Sequence, residues 1–205
     1  MMIKSDGRPS MLEAVTLGLV ATGAVSIAVG ALSGAIGRGL EVFASPVAVA
    51  LPLHDAPMPA LEDVGVVASA EYTESVVELD SVDAGARWLL LGESALPALA
   101  TIIVCMSLWW LGYSLIRQRA FRRSMVPVLG TASLGLIAAG MIAPLLGGIA
   151  RTQVVEQLPD SAADTFWTFL VRFDPSPIGW GIALALVTTA FEVGQRMQRD
   201  TEGLV

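Results

Sequence analysis

A carboxylate set inside an apolar run is the first feature of this chain that can do chemistry. Glu93 occurs in WLLLGESALPALATIIVCMSLWWLGYSLI, between Trp88 and Pro97. An unpaired charge at bilayer depth costs roughly 2.5 kcal/mol or more, so an ionisable residue there is read by default as holding a proton or a cation. Pro97, four residues on, frees a carbonyl of the preceding turn and so offers a second polar group nearby. Two structural readings compete: Glu93 sits at the headgroup level, or it pairs with Arg87 or Arg151.

The remaining material for chemistry is thin, since the chain has one histidine and one cysteine. His54 beside Asp55 lacks a second spaced ligand, and a surface histidine explains it better than a metal site. Cys105 lies in an apolar run, where it reads as a small packing residue, and a lone cysteine forms no intrachain disulfide. No nucleophile with its base, HExxH pair, phosphate-binding loop or dinucleotide glycine fingerprint occurs. No catalytic residue, cofactor or metal is therefore expected, and the chain reads as a non-enzyme.

What must position Glu93 is a set of membrane spans. Of the 205 residues, 54% are hydrophobic and only 15% charged, where a soluble domain carries about 25% charged residues. Mean hydropathy is +0.67. Apolar runs cover about residues 12–36, 88–116, 126–149 and 178–194, each within or above the roughly 17–25 residues that cross a bilayer. The expected fold class is all-α membrane: a single integral domain, a four-transmembrane-helix bundle, with a small β-rich extracytoplasmic loop element. A cleaved signal peptide competes for the first run because Lys4 and Arg8 precede it, but the run is long for one and no clear A-x-A site follows.

Charge then orients the spans. Lys4, Arg8, Arg117, Arg119, Arg122, Arg123, Arg196 and Arg199 fall in the N-terminus, the short second connection and the tail. The other two connections are longer yet hold only Arg38, Arg87, Arg151 and Arg172. Basic residues are retained in the cytoplasm, so both termini are expected there. The segment from Arg38 to Arg87 sets nine carboxylates against two arginines, which accounts for the whole net charge of −7. No broad basic surface remains for phosphate contacts, and no direct nucleic-acid binding is expected.

The first external segment, about 39–86, contains SPVAVALPL and DVGVVASAEYTESVVEL, valine-rich stretches that read as short strands. Its acids either form a binding edge or, the better-supported role, keep exposed strands apart. The second, about 150–177, places Phe166, Phe169, Leu170 and Phe173 at helical spacing. Asp160 or Ser161 would cap this interfacial helix, prolines 175 and 177 would stop it, and Trp167 and Trp180 would anchor it. Within the bilayer, close approach depends on small side chains. Thr22, Ser26, Gly30 and Gly34 repeat every four residues in the first span, as do Thr131, Gly135, Ala139, Ala143 and Gly147 in the third. These stripes are candidate packing faces, inside the bundle or in a homo-oligomer.

The last span runs out into AFEVGQRMQRDTEGLV. Phe191, Gly194, Arg196, Met197, Arg199, Asp200, Glu202 and Val205 resemble the closing element of the bacterial four-span family catalogued as domain of unknown function 2975, with Met197 in place of a leucine. The valine-rich segment after the first span and the short basic turn with Phe121 extend the resemblance. It implies a bacterial cytoplasmic-membrane protein in contact with lipid, with no catalytic residue to carry over, and a cytosolic helix-turn-helix regulator as partner. Arg196, Arg199, Asp200 and Glu202 are then the candidate partner tail, with headgroup anchoring as the competing role. The leading expectation is a non-enzymatic sensor or regulator; the alternative is a small transporter or toxin-immunity protein using Glu93.

Overall fold

The computed structural model describes residues 11–58, 69–116 and 125–202. In chain order these form α1 (Met11–Phe43), β1 (Val47–Pro57), β2 (Glu71–Leu79), α2 (Ala84–Ile116), α3 (Met125–Val155), α4 (Asp160–Ala163) and α5 (Ser176–Glu202). The chain is mostly helical, and α1, α2, α3 and α5 are each long and apolar enough to cross a membrane. The basic turn expected to hold Arg117, Arg119, Phe121, Arg122 and Arg123, and the terminal Lys4, Arg8 and Val205, lie outside the described residues.

The helices outrun the apolar stretches that predict them. Hydropathy ends the first and third spans near Ile36 and Ile149, whereas α1 continues to Phe43 and α3 to Val155. The added turns are held by protein rather than by an apolar run: Val42, Ala150 and Val154 have no exposed surface, and Val155 has almost none.

Contacts divide the chain into two units. One comprises Ala35–Ala95 and Ile142–Phe173 and contains both strands. Here β1 and β2 pair antiparallel, from Val47 opposite Leu79 to Leu51 opposite Ser75, with an irregularity between Pro52 and Ala56. Alternation turns Val47, Val49 and Leu51 to one face, where they meet Val42, Val82, Ala86, Leu90, Val154 and Val155 in an apolar core. Full burial of a valine or leucine away from water stabilises by about 1.5–3 kcal/mol, so each of these side chains contributes on that scale.

The same unit corrects the expectation of an amphipathic helix through Phe173. Only Asp160–Ala163 is helical, and Pro159 precedes it without a side-chain cap from Asp160 or Ser161. Beyond it the backbone turns to β1: His54 N–H donates to the Thr165 carbonyl at 2.9 Å, Trp167 N–H donates to the Pro52 carbonyl at 3.0 Å, and Phe166 bridges Leu53. The strand edge offers backbone partners that an isolated surface helix would not need, and β-branched and aromatic residues suit that edge. The prolines consequently begin α5 rather than ending a helix before it. Pro177 falls in its first turn, where a missing N–H costs nothing, and Asp174 accepts a 2.9 Å bond from the Ser176 N–H.

The second unit comprises Met1–Gly34, Leu96–Met141 and Asp174–Val205. A close approach in it joins α3 to α5. Ser133 hydroxyl donates to the Gly181 carbonyl at 2.8 Å, and a Cβ on Gly181 would collide with Ile137 at 2.6 Å. Gly140 lies against Pro177 and Ile178 in the same way. The stripe expected on α1 is not a seam among the described residues: Thr22, Ser26, Gly30 and Gly34 are exposed, with nothing near Gly30 or Gly34. Thr22 and Ser26 instead bond back to the Gly18 and Thr22 carbonyls of their own helix. On α3, Thr131 is exposed and Gly135 has no close neighbour, while Ala139 is buried. The physical reason is angular: Ser133 and Ile137 face α5, so Thr131 and Gly135, two positions away, turn elsewhere, while Ala143 is buried and Gly147 lies against Glu93.

Candidate functional site

The polar centre of the strand-bearing unit is built on Arg151, near the end of α3. Its Nη2 donates to Glu93 Oε1 on α2 at 2.9 Å, and its Nε donates to the Ala50 carbonyl of β1 at 3.2 Å. One guanidinium therefore ties two membrane-length helices to the sheet, using the planar fork that distinguishes arginine from lysine. Both side chains of the pair are about three-quarters removed from solvent, with 25% and 28% exposed. Gly147, one turn before Arg151, makes the approach feasible: a Cβ there would run into the Glu93 carboxyl group and into the guanidinium.

A second pair lies in the same pocket. Arg172 Nη1 donates to Glu74 Oε2 of β2 at 2.8 Å, in a more open setting. The two pairs line a cavity of about 160 Å³, whose apolar wall is Pro52, Pro144 and Leu170. The arrangement offers charge-assisted recognition of a small polar molecule. It provides no nucleophile with a base, and among the described residues no group of three or more His, Cys, Asp or Glu could hold a metal.

Of the two arginines expected as partners for Glu93, the structure selects Arg151. Arg87 is engaged elsewhere: its Nη1 donates to the Val42 and Ala44 carbonyls at 3.2 and 3.1 Å, and its Nε to the Val82 carbonyl. It thereby satisfies carbonyls at the C-terminal end of α1, which carries no basic residue in its last turn. His54 is exposed and packs its ring edge-on to Trp167 at 4.4 Å.

Other expected residues fall outside this centre. Cys105 is buried on α2, beside an apolar cavity of about 300 Å³ whose wall also includes Ala24, Ala28 and Leu32 of α1. In the tail, Arg196 pairs with Glu192 one turn earlier on α5, and Arg199, Asp200 and Glu202 continue the same helix. Asp174, before that helix, has its carboxyl held below the usual range by hydrogen bonds from the Ser176 hydroxyl and N–H.

Sequence reasoning left Glu74 and Arg172 unassigned. A signal for them was present in the scarcity of cations: the two longer connections hold four arginines, and each now has a fixed acceptor, Arg38 with Glu41, Arg87 with carbonyls, Arg151 with Glu93 and Arg172 with Glu74. Compared with family models, curated proteins and solved structures, the chain matches none.

Proposed function

We propose that the chain is a multi-pass protein of a bacterial cytoplasmic membrane, with both termini cytoplasmic, and that it works as a non-enzymatic sensor or regulator. The strand-bearing unit meets a signal outside the membrane, and the tail of α5 engages a cytosolic partner. In line with the family resemblance of that tail, the partner proposed is a small helix-turn-helix regulator. The observation that carries the reading is the Arg151 joint, because a ligand that competes for this guanidinium changes contacts to β1, α2 and α3 at once. A signal needs such differential contacts to bias a conformational equilibrium.

Membrane placement draws support from exposed aromatic residues. Trp88 and Trp109 are both exposed on α2, and their separation in sequence corresponds to about 32 Å of helical rise, close to the roughly 30 Å hydrocarbon core whose borders aromatic rings favour. Orientation is tested with reporter fusions. Those after Ser124 and Val205 should read as cytoplasmic and those near Glu71 and Asp164 as external; an external signal at Ser124 overturns the topology.

Coupling is tested by purification from native membranes with folding checked separately. Full-length protein should recover a cytosolic partner that a chain lacking Arg199–Val205 does not. Glu93→Gln should alter that recovery without touching the tail. Identical recovery from the full-length and truncated forms would sink the contact role and leave Arg196 and Arg199 as headgroup anchors.

A further inference from the structure

The pocket around Arg151 has more hydrogen-bonding capacity than its two ion pairs use. Among the described residues, Glu93 accepts through Oε1 and Glu74 through Oε2, which leaves the other oxygen of each carboxylate for water or a ligand. Arg172 commits Nη1, and Arg151 commits Nη2 and Nε. Nε and Nη2 of Arg172 and the second N–H of Arg151 Nη2 are then left as donors, while Nη1 of Arg151 lies against Gly147, since a guanidinium presents five N–H groups.

Sign and size narrow what can use these groups. The four charges cancel, so a lone anion entering the pocket meets two carboxylates and a lone cation meets two guanidiniums. A molecule carrying both signs meets a complementary group at each end. A volume of about 160 Å³ corresponds to roughly five waters at about 30 Å³ each and is well below the roughly 300–1,000 Å³ of drug-sized pockets. Pro52, Pro144 and Leu170 accommodate a short carbon segment between the charges.

We infer that this pocket binds a small zwitterion with one primary ammonium and one oxyanion, the oxyanion on Arg172 and Arg151 and the ammonium on Glu74 and Glu93. The inference rests on the sensor reading only for its consequence, since occupation of the pocket is measurable without any partner. The same chemistry comes from two sources, a free amino acid or the phosphoethanolamine headgroup of a lipid.

Calorimetry on the detergent-solubilised full chain tests the class. Glycine or phosphoethanolamine should bind, and acetate, inorganic phosphate and ethylammonium should bind at least about tenfold more weakly, because each lacks one charge-assisted contact. Glu74→Gln and Arg172→Gln alter the more exposed pair, so the fold should persist, and each should weaken zwitterion binding by about tenfold or more. Equal affinity for the single-charge probes, unchanged affinity in both variants, or no heat from either zwitterion overturns the inference. Nanodiscs separate the sources: free phosphoethanolamine excluded from protein in phosphatidylethanolamine but bound in phosphatidylglycerol identifies a headgroup site, and equal binding in both identifies a free ligand. The tail-truncation experiment reads the sensor reading independently, so a failed titration leaves that result standing.

Discussion

Among the described residues, the strand-bearing unit fully buries the bulky Val42, Val47, Val49, Leu51 and Val154 together with Ala86 and Ala150, whereas the helical unit buries mostly small side chains, Ala24, Ala100, Cys105, Ser107, Ser114, Ala132, Ser133 and Ala139, with Leu129 and Gln195 as the larger ones. The helical unit turns its bulk outward: Leu19, Leu134, Leu186 and Met197 are each about two-thirds exposed. Water drives large apolar groups inward, so the first pattern is what hydrophobic collapse produces. Lipid exerts no such preference between helices, and there the groups that become buried are those small enough to let backbones approach. The contrast teaches that one chain can carry two packing rules, the first of the kind that suits water and the second of the kind that suits lipid.

The largest test of that contrast is a matched pair of truncations. Leu51→Ala should cost about 2–5 kcal/mol, through lost burial and a residual cavity, while Leu134→Ala should stay within about 0.5 kcal/mol. Thermal unfolding in nanodiscs, with hydrogen exchange followed on β1, compares them. Equal losses would mean that both units obey one rule.

Next comes the joint. Glu93→Gln leaves Arg151 without its carboxylate and should cost about 1.5–3 kcal/mol, the range for hydrogen bonds to charged groups. Gly147→Ala should reproduce much of the loss by displacing the same carboxylate. A double-mutant cycle on the exposed Glu192–Arg196 pair should return only about 0.2–0.5 kcal/mol. A coupling for Glu93–Arg151 no larger than this would place the joint among ordinary surface pairs.

Helix contacts sharpen the other side of the comparison. Gly181→Leu should cost about 1–3 kcal/mol by overpacking against Ile137. Gly30→Leu should be nearly silent, since nothing lies within 4 Å of a Cβ there. Detergent melting curves of the two variants decide it, and a greater loss at Gly30 would reveal a contact made through another copy of the chain.

The smallest expected effect is acidic. Asp174 has a lowered folded pKa, so its contribution is present above the unfolded value of about 3.9 and fades as pH falls through the folded value. Asp174→Asn should therefore melt slightly earlier than the parent above about pH 4 and converge with it in stronger acid. Parallel curves at every pH would remove the hydrogen-bonded carboxylate as a stabilising group.

These particulars mark how far the sequence could be read. The four long helices were legible because each rests on a continuous apolar run, and the strands because alternating valines suit a pleated half-buried surface. Helix ends were not, since Val42 and Val154 belong to a protein core and no longer extend an apolar window. The Phe166–Phe173 periodicity misled because identical spacing is compatible with a helix until a strand edge competes for Thr165 and Trp167. A repeat of small residues marks a face without saying what covers it, which is why Gly181 rather than Gly30 meets a neighbour. The Glu93–Arg151 pair was among the readings available, but choosing it over Arg87 required knowing that Arg87 serves carbonyls of α1.

That arrangement also imposes an order on biogenesis. Arg87 follows Val42, whose carbonyl it serves, by 45 residues, which at about 5–20 residues per second is roughly 2–9 s of synthesis. Throughout that interval α1 is complete but the Val42 and Ala44 carbonyls lack the guanidinium that later serves them. Under the topology proposed above, early delivery of this end of α1 beyond the hydrocarbon layer lets water serve those carbonyls until the second helix arrives to close it.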